Sequence, residues 1–366
     1  MDFLQKSCSV LRDRKRTQDP VAIAKWTHLN SSRTQKLSTF TATIVGLAPA
    51  KIASCRVPFF CLFCISAYNI LERKEDIMKN LGFYNGKIDE LENMQVPMLD
   101  RACYFGDGVY DASYANNHTI FALQDYLNRF YNSAKLLNIN IPYKKPYKKE
   151  ELQDLLIELV NKVDSPTQFV YWQVSRGTGI RNHIYPEDMK GNLWVMITPK
   201  PLADPNKEMS VVTMEDTRFF HNNIKTINLI PAVMYSTDAH NHGFDECILH
   251  RGPDRVTECA HSNVSILKDG CFITAPCDEY ILPGIARKHL LEACTALNIP
   301  YEEKVYSLQE LFDADEIIVS SSTHICRRVK MVDGKPFVGK DSSTFKKLQD
   351  YVFNEFYDYT NAKRID

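Results

Sequence analysis

The chain has 366 residues, 44% hydrophobic and 24% charged, with a formal net charge of −1. That composition is ordinary for a soluble globular protein, and the length allows two domains around sizeable cores with a tail. A balance this close to neutral excludes a global field that would draw the protein onto nucleic acid or an anionic membrane.

From Pro20 to Leu71 there is no Asp or Glu, whereas Lys25, Arg33, Lys36, Lys51 and Arg56 are basic and Ser and Thr are frequent. Such a stretch is similar in composition to an organellar transit peptide, although Met1 to Asp19 carries acids and does not begin like one. Val57 to Leu71 is apolar but too short to span a bilayer comfortably. Residues 1–77 are therefore expected to be a leader outside the fold, or the product of a start placed too far upstream, with the core beginning at Met78. Cys61-Leu-Phe-Cys64 is the only CxxC of the chain and has no cysteine or histidine partners nearby, which argues against structural zinc or a redox centre. The later cysteines read as small core residues in a reducing compartment, so a cytoplasmic location is expected, with an organellar role for the leader left open.

In the core, Leu81 to Lys87 predicts a strand running into an Asn-Gly hairpin turn. Gly106 and Gly108 flank Asp107 in a tight turn. Leu123, Leu127, Phe130, Ala134 and Leu137 then recur at helical spacing, with Arg129 among them. The tetrapeptide Pro-Tyr-Lys-Lys at 142–145 is repeated at 146–149, a tandem that reads as a surface-loop insertion. A second helix is expected from Glu150 to Val163, and strands at Gln168 to Ser175 and Asn192 to Thr198. Pro199 to Pro205 holds three prolines and marks the domain boundary. The expected division is a smaller α/β domain over 78–199, a linker over 200–206 and a larger domain over 207–366. In the second part, strands are expected at Met209 to Met214, Cys247 to His250, Asn263 to Leu267, Cys271 to Thr274 and Glu316 to Ser320. Helices are expected at Pro231 to His242 and Ile285 to Leu297. The fold class is thus mixed α/β.

Phe219 to Pro231, FFHNNIKTINLIP, holds one lysine, Lys225, between Ile224 and Ile227. Two readings stand side by side. It is a surface lysine on an amphipathic segment, or a partly desolvated amine of the kind that attacks carbonyls and forms a Schiff base with pyridoxal phosphate. His221, His240, His242 and His250 show no metal-like spacing and read as structural, so no metal site is expected.

Seven strings decide between the readings. FGDGVY ends at Tyr110, LNRFY surrounds Arg129 and RGTGIRNH ends at His183. IKTINL surrounds Lys225, VTECAHSNV surrounds Glu258, ILPGIAR surrounds Gly284 and SSST covers Ser320 to Thr323. In this order, over about 220 residues, they resemble the fold-type IV pyridoxal-phosphate enzymes, and within them the D-amino-acid (D-alanine) aminotransferases. The resemblance implies a two-domain fold-type IV architecture, with a small α/β domain and a larger C-terminal β-barrel-like domain. Lys225 would be the Schiff-base lysine and the proton carrier, and Glu258 would face the pyridine nitrogen. Arg129, the backbone N–H groups of Ile285 and Ala286, and the Ser322 hydroxyl would hold the cofactor phosphate. Tyr110, Arg181 and His183 would trap the substrate α-carboxylate, the last two from the neighbouring subunit of a homodimer. The activity implied is ping-pong transamination from D-alanine to 2-oxoglutarate. An L-branched-chain aminotransferase or an aminodeoxychorismate lyase would share Lys225, Glu258 and Arg129 but not the Arg181-x-His183 pair. A catalytically silent cofactor-binding or regulatory protein is the reading from another class. The chain departs from the family pattern at Ala260, His261 and Ala286, where serines or threonine are common.

Overall fold

The computed structural model describes residues 77–143, 145–146 and 148–362. The expectations for the leader and for Cys61 and Cys64 fall, apart from Ile77, outside these residues.

Two sheets organise the chain. Strand β1 (Leu81–Tyr84) turns into β2 (Lys87–Asp89) through Asn85 and Gly86, both at positive φ (47° and 96°). This is the backbone twist that an Asn-Gly hairpin supplies. Helix α1 (Arg101–Phe105) leads into β3 (Gly108–Asn116), β4 (Thr119–Ile120) and helix α2 (Leu123–Leu136). The tandem repeat forms a short antiparallel ladder, β5 (Pro142–Tyr143) with β6 (Lys145–Pro146), between α2 and helix α3 (Lys149–Val160). Strands β7 (Thr167–Ser175) and β8 (Asn192–Pro199) complete an antiparallel six-stranded sheet of order β2-β1-β8-β7-β3-β4.

Helix α2 exists because Leu123, Tyr126, Leu127, Phe130 and Ala134 fall on one face, and all five are buried. They share a cluster with Val170, Trp172 and Val174 of β7 and with Leu152, Leu156 and Leu159 of α3. Strand β3 departs from the expected elements. Only a turn is anticipated there, yet Gly108 opens a nine-residue strand in register with β7 from Gly108↔Ser175 to Asn116↔Thr167.

Residues 200–208 carry the chain to a nine-stranded sheet of order β11-β10-β9-β16-β15-β12-β13-β14, with β17 beside β16. Its members are β9 (Met209–Glu215), β10 (Glu246–His250), β11 (Val256–Cys259), β12 (Asn263–Lys268) and β13 (Cys271–Thr274). The rest are β14 (Tyr301–Glu303), β15 (Glu316–Ser320), β16 (Arg327–Val332) and β17 (Lys335–Pro336). The β9–β10, β9–β16 and β13–β14 pairs are parallel and the others antiparallel. The helices are α4 (Ile230–Asn241), α5 (Ile285–Leu297), α6 (Leu308–Phe312) and α7 (Ser342–Tyr359). Beyond Ser320 no element is anticipated, yet α7 runs for 18 residues from an Asp341 cap that accepts from the Thr344 N–H. Leu290 and Cys294 of α5 and Leu348, Val352 and Phe356 of α7 belong to the same buried cluster as the first sheet. One hydrophobic body therefore runs across the 200–208 crossing.

Candidate active site

Lys225 is fixed by its backbone. Beyond the short β4 pairing, the edge of β3 is open near its start, and the lysine segment pairs there. The Tyr110 N–H donates to the Lys225 carbonyl at 2.9 Å, the Ile227 N–H donates to the Gly108 carbonyl at 3.1 Å, and Val109 and Thr226 form an antiparallel bridge. The Lys225 N–H reaches the Ser133 hydroxyl of α2 at 3.2 Å. Its Nζ donates to the Tyr110 hydroxyl at 3.3 Å and stands 4.4 Å from that ring's centroid, while Tyr110 stacks on Tyr171. The amine so held lines a cavity of about 470 Å³.

Tyr110, Arg129, Lys225, Glu258, Ile285, Ala286 and Ser322 all line that one cavity. Arg181 and His183 do not. Both are exposed on the loop between β7 and β8, where the Arg181 guanidinium lies 4.9 Å and the His183 ring 5.0 Å from the ring of Phe105. Phe105 itself lines the cavity, so the pair stands outside its mouth.

Glu258, buried on β11, accepts from Arg218 at 2.7 Å, from the Asn263 amide at 3.0 Å and from the Leu282 N–H at 2.9 Å. A carboxylate has about four acceptor positions, so roughly one is left for a donor in the cavity. Burial pushes its carboxyl up to about 7, against the pull of the Arg218 guanidinium and the Leu282 N–H. A group with that affinity for a proton suits a shared hydrogen bond to a ring nitrogen. Arg218 is in turn held by Asp216, which is buried and also accepts from the Thr257 hydroxyl at 2.9 Å.

Arg129 is not an open fork. Its Nε and one terminal nitrogen donate to Asp111 at 3.0 and 2.7 Å, and the other terminal nitrogen donates to the Pro283 carbonyl at 3.1 Å. Three of a guanidinium's five N–H groups are thereby used, which leaves one on each terminal nitrogen. Asp111, Arg218, Asp216 and Asn263 escape the sequence reading. Their partners lie 2 to 40 residues away, Arg129 on helix α2, Glu258 on β11 and the Asp216–Arg218 pair in the loop after β9, and no spacing rule connects them.

These residues fit pyridoxal phosphate. The first N–H groups of α5, at Ile285 and Ala286, have no partner within the helix and face the cavity, as an anion requires. The Ser320 hydroxyl is buried without a partner at the same wall. Ser322 accepts from the Tyr126 hydroxyl at 2.9 Å and keeps its own proton to donate. Gly284 permits the close approach of α5 to this wall, because a Cβ there would come within 1.9 Å of the Asn263 side-chain oxygen. The cradle, the lone acceptor position of Glu258 and the Lys225 amine supply the phosphate, ring-nitrogen and carbonyl contacts of one molecule.

Comparison with known proteins agrees. Residues 108–332 match the family described as amino-transferase class IV. The D-alanine aminotransferase of Listeria monocytogenes (serotype 1/2a, strain 10403S) is 35% identical over 279 residues, 74% of this chain and 94% of that protein. Among solved structures, the branched-chain amino acid aminotransferase of Escherichia coli superposes with a TM-score of 0.69 at 21% identity, over 77% of this chain and 96% of that one. A hypothetical aminotransferase of Mycobacterium tuberculosis in its PLP-bound form does so with a TM-score of 0.66 at 18% identity, over 76% of this chain and 99% of that one. The cavity therefore belongs to a transaminase, and the chain is a member of the class IV aminotransferases, the fold-type IV enzymes whose cofactor is pyridoxal 5′-phosphate.

Proposed function

We propose that the protein is a D-amino-acid transaminase that moves the amino group of D-alanine to 2-oxoglutarate, giving pyruvate and D-glutamate. The observation that carries the choice of D-substrates is the Arg181-Asn-His183 loop beside Phe105 at the cavity mouth. The Listeria relative, named for D-alanine and 35% identical, supports the same choice. The likeness to branched-chain enzymes speaks for the fold alone.

Pyridoxal phosphate, when bound, supplies a carbonyl carbon for amino-group exchange and a ring that accepts the electron pair left when Cα is deprotonated. Each remaining task falls to a residue. Lys225 Nζ would hold the cofactor carbonyl carbon in the resting enzyme and, once free, would be the base placed to take the substrate Cα proton and to return it. Tyr110, 3.3 Å from Nζ, orients the amine. Glu258 holds a proton on the ring nitrogen, and Arg218 and Asn263 fix the Glu258 carboxylate. Ile285, Ala286, Ser320 and Ser322 hold the phosphate, with the Arg129 charge behind them.

The chain works as a homodimer in which Arg181 and His183 of one copy close the cavity of the other. Support comes from the apolar side chains exposed on the Arg181–His183 loop, Ile180 and Ile184, and from exposed Phe219 of the cavity lining, with Ile184 80% exposed. A cytoplasmic setting fits the seven described cysteines, all free thiols. Among the described residues no helix is long and apolar enough to cross a membrane.

Half-reaction spectroscopy tests the reading. D-alanine should convert the absorbance of the lysine-linked cofactor to that of the amino form, L-alanine and L-leucine should not, and Lys225→Ala should abolish both the starting band and the conversion. Conversion by L-leucine alone would replace the D-specific reading with the branched-chain one. A stable band that no amino acid converts would favour a lyase.

A further inference from the structure

We propose that His261 recognises the distal carboxylate of a five-carbon dicarboxylic oxo acid, and so selects 2-oxoglutarate over short monocarboxylic oxo acids as the amino acceptor. The inference rests on the transaminase reading and names the residue that distinguishes its two oxo acids.

His261 occupies the turn between β11 and β12, which is closed by the Cys259 N–H donating to the Ser262 carbonyl at 2.8 Å. Its Nδ1 lies 3.1 Å from an oxygen of Glu246, a fully buried carboxylate of β10. Glu246 also accepts from the Ser262 hydroxyl and from the Cys247 N–H at 3.0 Å. The approach of Glu246 anchors the Nδ1 edge of the ring against β10. Nε2 then has no hydrogen-bond partner among the described residues, on a half-exposed side chain that lines the cavity.

The other cations of the wall are committed. Arg129 is paired with Asp111, Arg176 with Asp107, and Arg218 with Asp216 and Glu258. Lys225 is consumed by the reaction. His221 also lines the cavity, but no acid lies within ion-pair distance of it among the described residues. A second carboxylate entering with the substrate thus meets one imidazole with a buried acid behind it. The charged and titratable groups around His261 are Glu246 on β10 and His324 in the turn after β15, the latter flanked by Arg327, Lys200 and Asp245. Burial, with Arg327 adding to it, pulls His324 down to about 4, so it is neutral in the working range.

With Nδ1 turned to Glu246, Nε2 is the ring atom left to donate to a carboxylate in the cavity, and a monocarboxylate has no second carboxylate to offer it.

The test uses the full-length holoenzyme loaded with pyridoxamine phosphate, so that it does not depend on which amino acid donates. In His261→Ala and His261→Gln, KM for 2-oxoglutarate should rise roughly tenfold to a hundredfold, as loss of a charged hydrogen bond implies, while KM for pyruvate stays within about twofold. Calorimetry on the lysine-linked form provides a readout without turnover. Glutarate should lose roughly tenfold to a hundredfold in affinity in His261→Gln, while butyrate affinity should stay within about twofold. Equal losses for the two oxo acids, or a glutarate affinity unchanged in His261→Gln, would overturn the assignment. So would a selective loss in His221→Ala that His261→Gln lacks. If D-alanine fails to load the enzyme while these comparisons hold, the D-specific reading fails and this inference stands.

Discussion

The inner wall of the cavity is built from charges that already have partners, whereas its rim is built from exposed apolar and cationic side chains on loops. On the inner wall, Arg129 with Asp111 and Arg218 with Asp216 and Glu258 are buried ion pairs with their remaining hydrogen bonds largely filled. At the rim, Arg181, His183, Ile184 and Phe219 are exposed. Buried charge is tolerated only when paired, so the inner wall must be complete within one chain. Exposed side chains carry no such demand, and a second copy of the chain can supply what they lack. On our reading the contrast separates holding the cofactor, for which one chain suffices, from gripping the substrate, which takes two.

The largest expected effect breaks the inner wall. Asp111→Ala leaves the Arg129 guanidinium buried beside the Pro283 carbonyl without its counter-charge. Removing one partner of a buried pair costs about 3–5 kcal/mol, whereas replacing both by apolar groups of similar volume is often near neutral. Urea denaturation should show Asp111→Ala strongly destabilised, and Asp111→Leu combined with Arg129→Met should recover most of that loss while cofactor affinity stays low. Failure of the double variant to recover would mean that Arg129 is held by its surroundings rather than by Asp111.

A smaller effect reports on the layer behind the wall. His324 sits in a small pocket with Ser322, and its Nδ1 is buried without a hydrogen-bond partner. Burial lowers its folded-state value from 6.5 to about 4. Between those values the unfolded chain binds more protons than the folded one, so stability is complete above about pH 6.5 and falls as the pH drops towards 4, by at most about 3 kcal/mol. His324→Gln should flatten that part of the stability–pH curve. An unchanged slope would mean that this histidine does not carry the acid sensitivity.

The same contrast explains what could be read from the sequence. Lys225, Glu258 and the start of α5 sit in local motifs whose order survives in the chain, and the structure brings them into one cavity. Asp111 and Arg218 are invisible to local reading, since their meaning lies in pairings between different elements, Asp111 of β3 with Arg129 of α2 and loop residue Arg218 with Glu258 of β11. Strand β3 was masked because it is buried on both faces at most positions and lacks the alternation that marks a half-exposed strand. Helix α7 carries Phe345, Leu348, Val352 and Phe356 at helical spacing behind a capping Asp341, a legible pattern that the motif-led reading passed over. His261 reads in the sequence only as a departure from serine, because Glu246, its partner, lies 15 residues earlier on β10.

At the rim, Arg181→Ala should leave stability within about 0.5 kcal/mol, because the side chain is exposed. It should raise KM for every α-carboxylate substrate roughly tenfold to a hundredfold, the worth of a charge-assisted hydrogen bond. Mixing decides which chain the arginine serves. Lys225→Ala lacks the reacting amine and Arg181→Ala lacks the grip, so at low substrate neither alone should turn over well. If the loop of one copy closes the cavity of the other, a mixed dimer carries one site with both Lys225 and Arg181 intact and one site with neither. Random exchange then restores about a quarter of the wild-type activity, half the dimers being mixed with one good site each. If Arg181 served its own cavity, each site of the mixed dimer would lack one of the two residues and mixing would restore nothing.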